Sequence, residues 1–242
     1  RSLSSNFQNR VKYSDFSVGN EFNTKMEILS RNIIAPNPNK DLIYWFYERL
    51  RGQYDEQKKH LIIKADKDYF NSRFPKNKKF SKEDVAKIWS NWDQRPFDAV
   101  KGASTTYGAY MKGIVEKSII PDEDYYKRTV ALLIIYKFLM TRPENKNYAN
   151  GKATIVAYAM AMLEYQTMDK FDLLKVWQNQ SVSDHTKIYL NKLCDKLYEL
   201  LDEQARTLST SVLSFGKTSK AYDFIKSQSL DIDIHLLDND LL

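Results

Sequence analysis

Tyr44-Trp45-Phe46-Tyr47-Glu48-Arg49-Leu50-Arg51-Gly52-Gln53-Tyr54 crowds aromatic rings against two guanidiniums, a carboxylate and a glycine. Read as a strand, alternation sends Tyr44, Phe46 and Glu48 to one face and Trp45, Tyr47 and Arg49 to the other. Read as a helix, the stretch places Tyr44, Tyr47 and Arg51 on one side. In both forms an aromatic wall adjoins groups that hold phosphate or carboxylate bidentately and stack on flat rings. The plainer reading is a core segment whose arginines pair with Glu48 and with helix ends.

Outward from this stretch the chain reads as helices. Phe22, Met26, Leu29 and Ile33 are spaced for a helix that Asn20 or Asn23 caps and that runs through Arg31, after an extended arm over residues 1–18. Ala35-Pro36-Asn37-Pro38-Asn39 is a loop. Asp55 to Lys59 is polar and helical, and the basic run Arg73 to Lys79 reads as a solvated loop. Ser81 and Asp84 form a capping box ahead of the apolar stripe Val85, Ile88, Trp89 and Trp92. Pro96 breaks that helix. From Pro121 onward the helices are long, and Asp122, Glu123 and Asp124 sit at the positive end of the first dipole. Ala153 to Met168 is rich in alanine and methionine, which marks a central buried helix. Leu173 to Trp177 is a short one, Ser183 opens a strongly amphipathic one, and a last helix covers about 217–226.

The fold class is therefore mainly α: a multi-helix globular domain with a short extended or β element near residues 42–50. Three parts are expected. Residues 1–120 form a basic N-terminal subdomain and residues 121–230 a helical bundle subdomain. Residues 231–242 make an acidic and apolar tail, expected to be disordered in part.

Composition narrows the function. The chain has 242 residues, a formal net charge of +6, seven glycines, six prolines and one cysteine, Cys194. The first 120 residues carry 22 Lys/Arg against 14 Asp/Glu, and the remainder 15 against 17, so the positive charge lies in the first half. Such a half attracts polyanions. The apolar runs are too short for a membrane span, and a lone cysteine fits a reducing cytoplasm.

The 44–54 stretch, with Asp55-Glu56-Gln57 after it, resembles the WFYER-RGQY signature of the AIPR family, the abortive-infection phage-resistance proteins of bacteria. Asn6-Phe7-Gln8-Asn9-Arg10-Val11 with Ser14-Asp15-Phe16 is similar to the family's entry pattern, and Glu27-Ile28-Leu29-Ser30-Arg31 to its E-x-x-SR helix. Pro96 with Val100-Lys101-Gly102-Ala103 resembles its P-x-x-V-x-GAQ segment, though Ser104 stands where glutamine is usual, so no role of that amide carries over. Asn150 to Tyr158 is similar to GYRANIVTY, and Val176 to Ser181 to IW-x-QS. The match follows the family's order along nearly the whole chain. It implies a role in phage defence and a further N-terminal part, in some relatives with a restriction-endonuclease-like fold. Arg1 is not a translation start, which agrees with a C-terminal fragment of a larger protein.

Catalytic chemistry is not visible. His60, His185 and His235 are far apart and none has a second histidine or a cysteine at i+3 or i+4, and Cys194 lies in an amphipathic helix with no base beside it. Signatures of zinc peptidases, serine hydrolases and dithiol sites are missing. The acidic pairs Asp122/Asp124 and Asp231/Asp233 lack the lysine context of a nuclease. No catalytic residue, metal or cofactor is assigned.

Binding is better motivated. Arg49, Arg51, Lys101 and Lys152 all lie on segments that match family motifs, and Lys152 stands where arginine is usual, keeping the charge without the fork. They are expected to line one phosphate-bearing groove, with Trp45, Tyr47 or Tyr54 stacking on bases. A glycine followed by small hydroxylated residues at Gly102 to Thr106 also lets backbone amides approach an anion. Three readings compete: a module engaging DNA or RNA for a larger effector, a scaffold or homodimerisation module for the missing N-terminal part, and a cryptic metal-dependent nuclease.

Overall fold

The computed structural model describes residues 17–242 apart from 40 and 41. The family-like segments Asn6 to Val11 and Ser14 to Phe16 lie outside the described residues, as does most of the expected N-terminal arm. The architecture is mainly α. Helix α1 spans Ser17–Asn32, α2 Gln53–His60, α3 Lys64–Arg73, α4 Lys82–Trp92, α5 Pro96–Ala99 and α6 Ala103–Glu116. They are followed by α7 Glu123–Thr141, α8 Lys152–Thr167, α9 Leu173–Asn179, α10 Asp184–Thr207, α11 Val212–Phe215 and α12 Ser219–Lys226.

The centre is α8. Every residue from Thr154 to Leu163 is buried, so the helix has no polar face, as alanines and methionines that let neighbours approach from all sides allow. Helices α4, α5, α7 and α10 pack around it. The local signals in the sequence set where these helices start. Ser81 Oγ accepts from Asp84 N while Asp84 Oδ2 accepts from Ser81 N, a complete capping box despite the short aspartate. Asp122 caps α7, Asp172 caps α9 and Ser183 caps α10 in the same manner. Val85, Ile88 and Trp92 are buried as the stripe requires, and Trp89 stacks on Tyr125 with centroids 4.7 Å apart.

The expected extended element is β1, Phe46–Glu48, which pairs in parallel with β2, Lys79–Ser81. Helices α2 and α3 form the crossover between them. The end of the run Arg73 to Lys79, read as loop, thus contributes a strand residue, and α3 is a helix that the sequence did not signal because none of its residues is buried.

One apolar cluster runs from Phe22 to Leu237 and passes through both expected subdomains. It takes in the C-terminus as well. Residues 234–240 form a 3₁₀ helix with Leu237 fully buried, and Leu241 bridges to Phe171. Asp240 is also buried, accepting hydrogen bonds from Ser183 Oγ and from Thr186 Oγ1 (2.7 Å), with Lys175 Nζ 3.4 Å away. The acidic composition of 231–242 pointed to a partly disordered tail; among its residues Leu237 and the hydrogen-bonded Asp240 are held in place. Among the described residues no helix is long and apolar enough to cross a membrane.

Candidate functional site

The signature stretch folds inward. Trp45, Tyr47 and Tyr54 are all buried. Trp45 Nε1 donates to Gln180 Oε1 at 2.9 Å, and the ammoniums of Lys78 and Lys137 lie 5.0 and 4.6 Å from its ring centre. Tyr47 Oη donates to Asn23 Oδ1 at 2.6 Å, and burial pushes its phenol well above the ordinary range. Tyr54 Oη donates to the Phe74 carbonyl at 2.7 Å, while its ring meets Phe46 and Phe70. With their faces taken by neighbours, these three rings do not form the expected stacking platform. The strand form won, but both of its faces are covered, so alternation separates two halves of a core rather than core from solvent.

The polar residues of the stretch hold it to α1. Glu27 Oε2 lies 3.4 Å from Arg49 Nε, and Glu27 Oε1 accepts from Gln53 Nε2. Arg49 also donates to Thr24 Oγ1 at 3.2 Å. Arg31 lies with its guanidinium carbon 3.5 Å from the Phe46 ring centre and donates to the Tyr47 carbonyl at 3.2 Å. Burial lowers the Arg31 pKa to about 10, against the opposing pull of Glu27. Glu48 accepts from Tyr54 N at 3.1 Å and faces Lys79 Nζ at 3.7 Å. Gly52 turns the chain into α2 with φ +80°, a left-handed conformation that a side chain resists. Of the two arginines, Arg49 is therefore engaged and Arg51 is exposed without a partner among the described residues.

The other two candidate cations lie elsewhere, and their segments meet. A pocket of about 150 Å³ is lined by Lys87 and Asn91 of α4, Ala99 to Ala103 (without Lys101), Tyr136 of α7, and Ala153 and Ala157 of α8. Two stretches about fifty residues apart, Lys101-Gly102-Ala103 and Gly151-Lys152-Ala153, thus flank one opening, through the packing of α5 on α8. Lys101 Nζ is 2.7 Å from Asp98 Oδ1, whereas Lys152 is half-buried and unpaired among the described residues. Lys87 faces no carboxylate; its ammonium sits 5.7 Å from the Tyr136 ring centre.

The start of α6 completes this site. Gly102 has φ +127° and ψ +147°, and no side chain caps the helix. The first helical bond is donated by Thr106 to the Gly102 carbonyl, at 2.9 Å. The amides of Ala103, Ser104 and Thr105 therefore remain unbonded, on residues that are exposed. Amides free at a helix start, beside lysines and with no carboxylate in the lining, suit an anion. Lys87 and Asn91 were missed in the sequence. They share the face of α4 that the apolar stripe alone does not define.

A larger hollow, about 410 Å³, lies between the start of α7 and α9, but Glu123 and Asp124 line it and repel a polyanion. Cys194 is fully buried and its thiol is pushed up to about 12 by that burial, which keeps it protonated at neutral pH.

Fold and site together define a mainly α protein with a buried signature stretch and a pocket whose one charged lining residue is Lys87. The AIPR protein family model matches residues 2–205, so the chain belongs to the AIPR family, the abortive-infection phage-resistance proteins. No curated protein and no solved structure is significantly similar to it.

Proposed function

We propose that this chain makes the nucleic-acid contact of an antiviral defence effector, binding phosphate at the start of α6 between Lys87, Lys101 and Lys152. The observation that carries this reading is the meeting of the Lys101 and Lys152 stretches at one pocket beside three unbonded helix amides. Backbone phosphates are the anions that a site of several lysines and free amides, in a chain of net charge +6, attracts most strongly. Arg51, exposed and unpaired, adds to the same field from the turn after β1.

Fluorescence anisotropy with labelled duplex DNA, single-stranded DNA and RNA at two salt concentrations tests the reading. Binding that weakens steeply with salt and falls in Lys87→Ala/Lys152→Ala supports it. No binding to any of the three overturns it.

One observation favours a scaffold instead. Leu50, Ile62, Ile63 and Tyr69, around α2 and α3, are each more than 60% exposed. A concentration-dependent dimer, lost in Ile62→Lys/Ile63→Lys, would support that assembly role.

A further inference from the structure

Helices α2 and α3 make an outlying hairpin that is held to the body at its base. Tyr54, in the first turn of α2, meets Phe70, near the end of α3, with ring centres 5.2 Å apart. Both rings also pack on Phe46 of β1, and Tyr54 is the one fully buried residue of the two helices. From these rings each helix climbs six residues to the connection, about 9 Å at the rise of an α-helix.

The far end of the hairpin is Lys58-Lys59-His60-Leu61-Ile62-Ile63-Lys64. Ile62 is 91% exposed and Ile63 63%. Residues 58–67 carry four lysines against one carboxylate, Asp66. Lys58, Lys64 and Lys67 form no ion pair among the described residues. Lys59 has Glu56 at 3.8 Å, a contact between two exposed groups that water screens.

We infer that this tip docks on an anionic lipid surface, its two isoleucines entering the acyl boundary while the lysines hold headgroup phosphates. Charge complementarity selects this occupant. Branched aliphatics lack the flat faces that stack on bases, so nucleic acid accounts for the lysines and not for the isoleucines. In a second copy docked tip to tip, four lysines would face four like charges. A lipid surface answers both halves of the tip, and it deforms around a convex knob where a protein would need a matching cleft. The docking is peripheral, since the apolar run from Leu61 to Ile63 is far too short to span a bilayer. No residue of the tip lines the pocket beside α6, so the two surfaces are independent.

Two variants of the full chain divide the tip into its parts. Ile62→Ser/Ile63→Ser removes the apolar knob, and Lys59→Ala/Lys64→Ala removes charge on either side of it. All four side chains are exposed, so both variants are expected to fold, with circular dichroism as the check.

Co-sedimentation uses vesicles of phosphatidylcholine alone and of phosphatidylcholine mixed with phosphatidylglycerol. Wild type is expected to bind the mixed vesicles, to leave them as salt is raised, and to bind phosphatidylcholine alone much less. The lysine variant is expected to bind the mixed vesicles about thirtyfold more weakly, about fivefold for each lysine near the surface. The isoleucine variant is expected to lose about tenfold or more and to leave oligonucleotide binding at the wild-type level. No binding of wild type to the mixed vesicles would overturn the lipid surface, as would binding that the isoleucine variant keeps in full. A lipid-free dimer that dissolves in the isoleucine variant, with no vesicle binding, would also overturn it and assign the tip to a second copy.

Discussion

Glu27 Oε2 lies 3.4 Å from Arg49 Nε, and the same carboxylate accepts a hydrogen bond from Gln53 and stands 3.9 Å from Arg31. One side chain of α1 thus ties down both halves of the signature stretch. Its surroundings are only partly exposed, which raises the strength of these contacts above that of surface pairs. Glu27→Ala is expected to lower stability by about 1–3 kcal/mol, the range for hydrogen bonds to charged groups. Arg49→Ala, whose partner then keeps Gln53, is expected to lose about 0.5–1 kcal/mol. Urea denaturation of both variants and of the double variant checks this, and a double variant that loses the full sum would show that the two residues are not coupled.

Gly102 occupies a region of backbone space that residues with a Cβ rarely enter, although open space surrounds its own Cα. Gly102→Ala is expected to cost about 1–3 kcal/mol through backbone strain alone. Because the strain falls at the first residue before α6, the variant is also expected to bind anions less well. Thermal melting and anion titration read the two effects separately.

Lys137 donates to the carbonyls of Asn77 (2.6 Å) and Lys79 (3.2 Å) beneath the Trp45 ring. Burial lowers its pKa to about 8; Lys78 nearby pushes the same way and Asp84 opposes. Between about pH 8 and the ordinary lysine range the unfolded chain binds more protons at this position than the folded one. Its contribution to stability therefore rises with pH across that window. Lys137→Met is expected to flatten this part of the pH–stability curve, measured by chemical denaturation from pH 7.5 to 10. A curve identical to that of the wild type would contradict the buried ammonium.

The C-terminal turn is fixed by the buried Leu237 and by Asp240, which accepts hydrogen bonds at the start of α10. Leu237→Ala is expected to destabilise by about 2–5 kcal/mol, as other buried leucines do. Calorimetry or denaturant unfolding checks it; a loss below about 0.5 kcal/mol, the size typical of surface changes, would mean that the turn is not docked.

Local signals were legible in the sequence where one residue acts on its neighbours. The capping box at Ser81, the acidic start of α7 at Asp122 to Asp124, the opening of α10 after Ser183, and the buried run of α8 all follow from short-range chemistry. Helix α3 was not legible, because a helix with no buried residue carries no apolar period. Nor was the pairing of Phe46 with Lys79, a contact across more than thirty residues that leaves no mark in either segment. The aromatic signature showed its composition but not its direction. Trp45, Tyr47 and Tyr54 suit a base platform and a core equally well until Phe80, Phe70 and Asn23 are placed against them. For the same reason the four cations could not be sorted. Arg49 belongs to the signature network, whereas the stretches that carry Lys101 and Lys152 meet at the pocket rim only through the packing of α5 on α8.

The most direct test of phosphate binding at the start of α6 is the salt dependence of single-strand binding. Wild type, Lys87→Ala/Lys152→Ala and Arg49→Ala/Arg51→Ala are compared as log K against log salt. Two lost phosphate contacts are expected to make the slope shallower by about 1.4 in the lysine variant. The arginine variant is expected to change much less, because Arg49 is already held by Glu27. An unchanged slope in the lysine variant, with the loss confined to the arginine variant, would contradict the account and move the phosphate site to the turn after β1.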